Sequence, residues 1–516
     1  MDTLFDKMTR GHYCLCVRMT VGHLWVGKGQ AMNSKEQEQT KISDNTAAFE
    51  QFSQCLAAQR RAYHVNPVPT IQQRIADLDA LKALIRDHET ELVEAVNADY
   101  GSRCRFETRF SEILMVLEDI NRSKTQLKKW MKPQKRHIDR LLFPTSSCVV
   151  VPQPLGVVGV IVPWNFPIML ALAPIVSIFA AGNRAMVKMS ENSEHLAQLL
   201  IKLVPQYFAA EKLQVFADNG GSGPAFSAQP FDHLFFTGSA QTGRAVMASA
   251  AKNLTPVTLE LGGKSPAVVA PDFALDKAVD RIIWAKAFNA GQICTNVDYV
   301  FIPQGAEQQF AELAQQLVAQ RYPDINHNDY TAIIDERAYQ RLQTTLDDAI
   351  SKGARAVNLM AGQQSVPGLR KFPLTLLFDV TDDMLVMQRE IFGPLLPVKT
   401  YSNAQDVVQY INSHPRPLAF YPFSHDKSLQ QFYLEQVMSG GVTINHAILH
   451  VGQHDLPFGG IGDSGMGHYH GFEGFLTFSK LRPIFKQGAY NSVSLLMPPY
   501  GWLANKMTDW LIKFKG

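Results

Sequence analysis

The sequence predicts an α/β fold of two lobes, the first a doubly wound parallel sheet with helices on both faces. Short β-rich runs alternate with helical segments from Cys148 onward, and the alternation starts again after Leu254. A chain of 516 residues is also long for a single core.

The elements follow in order. Thr46 to Arg61, Thr70 to Ile85 and His88 to Asp99 read as amphipathic helices. In the second, Ile71, Ile75, Leu78, Leu81 and Ile85 share one face and Thr70 is placed to cap. The basic stretch from Lys124 to Arg140 reads as a solvated helix and its exit. In the first lobe, strands are expected at Val157 to Val162, Arg184 to Lys188, Leu213 to Phe216 and His233 to Thr237. Helices are expected between them at Pro167 to Ala180, Ser193 to Phe208 and Ala240 to Ala251. In the second lobe, Thr258 to Leu261, Ala267 to Val269 and Tyr299 to Ile302 read as strands. Leu275 to Asn289 and the stretches near 306–320 and 336–351 read as helices.

Both ends differ in texture. Residues 1–45 lack sustained periodicity and predict a disordered leader, with Met32 a candidate start of translation. After Tyr490 a Pro-punctuated tail becomes helical, with Leu503, Met507, Trp510, Leu511 and Phe514 in one apolar stripe. That stripe predicts docking on its own or a partner subunit, with attachment to a membrane surface the alternative.

Composition excludes several classes. At 46% hydrophobic and 19% charged, the chain is ordinary for a soluble globular protein. A net charge of +2 argues against nucleic acid as a partner. The six cysteines (14, 16, 55, 104, 148 and 294) show no metal-type spacing, so no metal site is expected and a reducing, cytoplasmic setting is. No run approaches the roughly 18 apolar residues of a membrane span, and Asp2 and Asp6 interrupt any secretory signal.

Six short segments carry candidate chemistry. Cys294 lies in Gly291-Gln292-Ile293-Cys294-Thr295, where a glycine before the thiol permits a tight bend that exposes the sulfur. A buried inert thiol is the bland alternative. Glu260 ends an apolar strand before Gly262-Gly263-Lys264, where α/β sheets place their sites; a carboxylate capping a turn is its plainer reading. Asn165, in Pro163-Trp164-Asn165-Phe166-Pro167, can donate to a developing oxyanion or simply belong to a rigid turn. Lys188 and Glu191 end a strand as a ribose-gripping acid does. Phe236-Thr237-Gly238-Ser239 with Gly243 forms a strand–turn–helix whose N–H groups could meet phosphate, though it departs from GxGxxG. Glu390-Ile391-Phe392-Gly393-Pro394 sets a carboxylate beside an aromatic ring near a turn.

In this order and combination, the segments resemble the aldehyde dehydrogenase superfamily from about residue 46 to 485. Gly441-Val442-Thr443-Ile444-Asn445, Leu456-Pro457-Phe458-Gly459-Gly460 and Ser464-Gly465-Met466-Gly467 narrow it to the class 3 branch, where the chain is similar to bacterial coniferyl aldehyde dehydrogenases.

The resemblance implies a catalytic set and a cofactor set. Cys294 is the nucleophile, Asn165 an oxyanion donor and Glu260 the base that activates water. NAD is implied, with NADP also accepted. Lys188 and Glu191 correspond to the adenosine-ribose contacts, Gly238, Ser239 and Gly243 to the pyrophosphate turn, Trp164 to the cofactor wall, and Glu390 with Phe392 to the nicotinamide-ribose end. The Gly-rich segment from Asp218 to Pro224 departs from the family, and is expected to alter a loop without touching chemistry. A homodimer with a small β oligomerisation segment is also implied. The chain then divides into a leader (1–45), a cofactor-binding domain (46–253, with a bridging part near 132–153), a catalytic domain (254–438), a return with oligomerisation segment (439–485) and a tail (486–516).

Coniferyl or a related aromatic aldehyde is the expected substrate, and a medium- or long-chain aliphatic aldehyde the alternative. Phe166, Met169, Phe288, His446 and His450 are candidates for its slot. Two rivals remain: an acylating enzyme in which coenzyme A takes the acyl group, against which Glu260 argues, and an inactive binding protein on the same fold.

Overall fold

The computed structural model describes residues 29–218 and 220–515, with side chains from Thr46 onward except Ser492. Its first helix, Gly29–Val65, starts well before Thr46, so residues 29–45 are helical rather than disordered. Lys35 to Gln39 within it is made wholly of Lys, Glu and Gln, good helix formers without an apolar period, so propensity there marks a helix that periodicity misses. The remainder of the expected leader lies outside the described residues. The helix docks through Phe52 and Leu56, both buried. The Phe52 ring meets Phe216 and Phe226 edge-on at 5.0 and 5.1 Å.

The next helix, Ile71–Asp87, opens with a capping box: Thr70 and Gln73 each accept from the other's backbone N–H. The basic stretch splits between the end of helix Met115–Trp130 and a short strand, Gln134–Arg136.

The first large sheet has six strands in the order Gly465–Met466, Val257–Glu260, His233–Thr237, Val157–Ile161, Arg184–Lys188, Leu213–Phe216. All neighbours are parallel except the Gly465–Met466 edge. The chain enters at Val157–Ile161, builds outward to Leu213–Phe216, then returns to the other side at His233–Thr237. A doubly wound sheet has its crevice at such a reversal, beyond the carboxyl ends of its strands. The expected boundary at 254 falls one strand early, because Val257–Glu260 completes this sheet. Its partner is fixed by sheet hydrogen bonds, which the sequence does not display.

The second sheet runs Arg355–Asn358, Thr375–Phe378, Leu395–Tyr401, Tyr299–Pro303, Pro266–Val269, Ala419–Phe423, Gly441–Val442, parallel except at the first pair. A third, antiparallel sheet joins Gln134–Arg136, Ser147–Pro154 and Ser479–Lys486. The tail forms helix Trp502–Lys515, on which Leu503, Trp510 and Phe514 are exposed and only Ala504 is buried. Among the described residues no helix is long and apolar enough to cross a membrane.

Candidate active site

Asn165 sits in the turn between strand Val157–Ile161 and helix Pro167–Ala181, whose fifteen residues are all buried. A helix buried to both ends must satisfy its terminal backbone groups internally. Glu112 does so at the N-terminus, accepting from the N–H groups of Ile168 (2.8 Å) and Met169 (3.3 Å). Arg74 does so at the C-terminus, donating to the Ala180 carbonyl at 2.9 Å. Each charge also complements the helix dipole. Arg103 ties this frame to the turn: it donates to the Asn165 carbonyl at 2.9 Å and pairs with Glu112 at 3.4 Å. The Tyr100 hydroxyl and the Asn289 amide donate to that same carbonyl at 3.1 Å each. The side-chain amide of Asn165 points to the Gln292 carbonyl, at 3.3 Å.

That last bond links Asn165 to the cysteine loop. The predicted helix ends at Ala287, and Phe288–Gly291 makes a tight turn. Asn289, Ala290 and Gly291 carry φ of 50°, 49° and 76°, a conformation costly for the two non-glycine residues and held by the surrounding bonds. Gln292 is fully buried and satisfied: it accepts from Ile334 N–H and donates to the Asn289 and Ala332 carbonyls, all at 3.0 Å. Gly291 cannot be larger, since a Cβ would lie 2.3 Å from the Gly393 carbonyl oxygen. The cysteine loop and the Glu390–Pro394 loop are thereby pressed together.

Glu260 ends its strand in the first sheet, and Cys294 precedes strand Tyr299–Pro303 of the second. The two sheets therefore contribute opposite strand ends to one site. Both carboxyl oxygens of Glu260 are buried without a hydrogen-bond partner, and burial holds the group well above the usual carboxyl range. Cys294 is partly exposed at the end of a cavity; burial, then Glu390 and Glu260, push its thiol up to about 12. Burial and Asp298 raise Glu390 to about 8. Near neutral pH the site holds a protonated thiol beside two carboxyls that ionise reluctantly.

The cavity at Cys294 measures about 320 Å³. Phe166, Met169, Phe288, Trp284, Phe458 and Tyr469 line it, with Ser111, Glu118, Thr295 and Gln453 among its polar lining. His446 and His450, expected there, are replaced by Ile448, Leu449 and Val451. His446 turns to the Ala447 backbone and Trp284, and His450 pairs with Thr443 at 2.8 Å.

Three of the cofactor candidates, Ser239, Glu390 and Glu191, line two further cavities. One, of about 430 Å³, runs from Ser239 and Ala240 past Gly262 to Glu390. Ser239 caps helix Ala240–Ala251 by accepting from Thr242 N–H at 3.2 Å. Gly238 and Gly243 differ from expectation. Their N–H groups are spent on the Glu260 and Ser239 carbonyls, at 3.0 and 2.8 Å. Gly243 instead lets the helix approach Leu261, whose side chain would lie 2.6 Å from a Cβ. Trp164 stands edge-on to Phe392 with centroids 5.3 Å apart, and Phe392 has φ 48°. Glu390 keeps one buried oxygen without a partner, beside the space a Gly262 Cβ would fill. An unpartnered acceptor on an open cradle fits a ribose hydroxyl. The other cavity, of about 670 Å³, is lined by Glu191 and Asp218. Lys188 is not part of that lining, and its ammonium is paired with Asp218, which is.

Sequence reasoning missed Tyr100, Arg103, Glu112 and Asn289. Gln292 stood within a quoted motif, and its neighbour Cys294 could have flagged it. Arg103 and Glu112 carried no signal, since the backbone groups they hold, at Asn165, Ile168 and Met169, lie more than fifty residues away.

The profile of the aldehyde dehydrogenase family matches residues 30–484. The chain belongs to that family. It is an NAD(P)-dependent aldehyde dehydrogenase acting on an aldehyde. A probable coniferyl aldehyde dehydrogenase of Pseudomonas aeruginosa is 46% identical over 474 residues, covering 92% of this chain and 97% of that protein. The coniferyl aldehyde dehydrogenase of a Pseudomonas species (strain HR199) is 41% identical over 456 residues, covering 88% and 94%. Among solved structures, the substrate-bound state of Staphylococcus aureus AldH superposes with a TM-score of 0.83 at 31% identity, covering 89% of this chain and 99% of that one.

Proposed function

We propose that this aldehyde dehydrogenase acts on flat aromatic aldehydes of the phenylpropenal type, coniferaldehyde among them. The observation that carries the reading is the slot at Cys294, where Phe166, Phe288, Trp284 and Phe458 offer rings to a conjugated ring. The names of the two Pseudomonas relatives agree with it.

In the proposed chemistry, Glu260 in its ionised form takes the proton of the neighbouring Cys294 and releases it to solvent, and the sulfur attacks the aldehyde carbon. Asn165 Nδ2 and the Cys294 backbone N–H donate to the oxyanion. Bound NAD(P) supplies the hydride acceptor. Oxidation of the thiohemiacetal leaves a thioester on Cys294. Glu260 takes a proton from water, the resulting hydroxide attacks the thioester carbon, and the thiolate leaves as the acid is released. The unpartnered, buried carboxyl of Glu260 suits it to hold that water. Glu390, Phe392 and Trp164 hold the nicotinamide end, Ser239 the pyrophosphate and Glu191 the adenosine ribose.

The same proposal includes a homodimer, a cytoplasmic location, and the domain division above with its first boundary moved past Glu260. The edge strand Ser479–Lys486, with Leu481, Ile484 and Phe485 exposed, supports the dimer. The four described cysteines are free, as a reducing compartment keeps them.

The test compares kcat/KM for coniferaldehyde, benzaldehyde, octanal and acetaldehyde, with and without coenzyme A. Coniferaldehyde is expected to exceed acetaldehyde by at least about tenfold, which needs only ~1.4 kcal/mol of differential binding. A lead for octanal transfers the slot to aliphatic aldehydes. A lead for acetaldehyde removes it.

A further inference from the structure

We infer that Asp218 sets the cofactor preference toward NAD by engaging the ammonium of Lys188, which closes the strand before Glu191 and, unpaired, would be free to meet a 2′-phosphate. This rests on the proposed reading that Glu191 faces the adenosine ribose.

The geometry starts at adjacent strand ends. Lys188 closes strand Arg184–Lys188 in register with Phe216, and Asp218 lies two residues beyond Phe216. The ammonium and Asp218 Oδ2 form an ion pair whose side chains are only 7% and 6% exposed. The other oxygen, Oδ1, accepts from the N–H groups of Gly220, Gly221 and Ser222 at 3.0, 3.1 and 3.1 Å, and from the Ser222 hydroxyl at 2.9 Å. The Gly-rich segment from 218 to 224 is what brings these donors round one carboxylate. Desolvation works to raise Asp218, but Lys188 and the Ser222 bonds outweigh it and hold the group below the usual carboxyl range.

Two consequences follow for a cofactor. Lys188 cannot follow a 2′-phosphate without leaving a buried, unpaired carboxylate behind, and breaking a buried pair in that way is strongly unfavourable. The adjoining cavity carries Glu191, Glu194 and Asp218 and no Lys or Arg among its described lining residues. A ribose diol can donate to a carboxylate there, whereas a phosphate dianion meets only like charge. The Gly-rich segment therefore touches cofactor chemistry, contrary to the expectation that it would not.

Asp218→Asn keeps an oxygen for the loop donors, removes the charge and frees Lys188. By calorimetric titration, its Kd for NADP is expected to fall by about tenfold or more, the worth of one charge-assisted hydrogen bond. The Kd for NAD should stay within about threefold, and kcat/KM should shift in parallel. Adding Lys188→Met should return the NADP/NAD ratio to that of the wild type. A folded Asp218→Asn protein with an unchanged ratio overturns the inference, as does a wild-type protein that binds NADP as tightly as NAD. Glu191→Gln reports separately on the underlying reading: if it leaves NAD binding unchanged, Glu191 does not face the ribose and that reading fails, whatever Asp218→Asn does.

Discussion

Gly262→Ala separates cofactor binding from folding. A Cβ at Gly262 would lie 2.1 and 2.4 Å from the two carboxyl oxygens of Glu390, and 2.5 Å from the carbon between them. Ordinary carbon contacts need ~3.5 Å, so the carboxyl must retreat by about an ångström or more. Gly262 has no positive φ, and what it displaces is the end of a flexible side chain, so the backbone accepts alanine without strain. The fold survives while Glu390 leaves the position from which it would take a ribose hydroxyl. With Glu390 raised to about 8 and so mostly protonated near neutral pH, losing one hydrogen bond to it costs about 0.5–1.5 kcal/mol, or about two- to tenfold in affinity. Steady-state rates at varied NAD and saturating aldehyde measure the loss, and thermal melting checks the fold. The expected result is a Tm near that of the wild type with kcat/KM for NAD down by that factor. Gly291→Ala is the contrast: φ of +76° and a backbone carbonyl 2.3 Å away leave alanine no route, so it should lower Tm sharply. A folded Gly262→Ala enzyme with unchanged kcat/KM for NAD would refute the assignment of Glu390.

Cys294→Ala should abolish NADH formation while cofactor titration still shows binding; retained turnover at near-native rate would discard the covalent mechanism. Glu260→Gln should slow release of the acid by roughly 10²–10⁴ and preserve a pre-steady-state burst of NADH. Because burial holds Glu260 above the usual carboxyl range, its ionised fraction grows as pH rises, so wild-type deacylation should climb into the alkaline range and the Gln variant should lose that dependence. Asp119, buried in helix Met115–Trp130, is raised by desolvation from 3.8 to about 7. The folded value exceeds the ordinary one, so its contribution to stability is present at low pH and is lost as pH rises from about 4 to about 7. Asp119→Asn should therefore gain Tm relative to the wild type across that window, and a constant difference would count against the linkage.

Much of the fold was legible because strands buried on both faces and their covering helices leave clear runs. The ranges expected for Arg184–Lys188, Leu213–Phe216, His233–Thr237 and Ala240–Ala251 coincide with the observed elements. The misplaced helix start at Thr46 and the early boundary at 254 have one cause: neither a polar helix nor a choice of strand partner leaves an apolar period. Candidate site residues stood out where they lie beside glycines or prolines, since such turns constrain the local sequence. Cys294 after Gly291, Glu260 before Gly262 and Asn165 between Pro163 and Pro167 are of this kind.

By itself, then, the sequence determined the alternation of elements and the two lobes and singled out the candidate reactive side chains, because these depend on local periodicity and local turns. Tertiary structure alone decided what surrounds them. It set Glu112 and Arg74 at the two ends of a buried helix, turned His446 and His450 away from the slot in favour of Ile448 and Leu449, and joined Lys188 to Asp218 across two strand ends. Charge pairing, desolvation and close approach act between residues distant in the chain, and only the packed molecule brings those residues together.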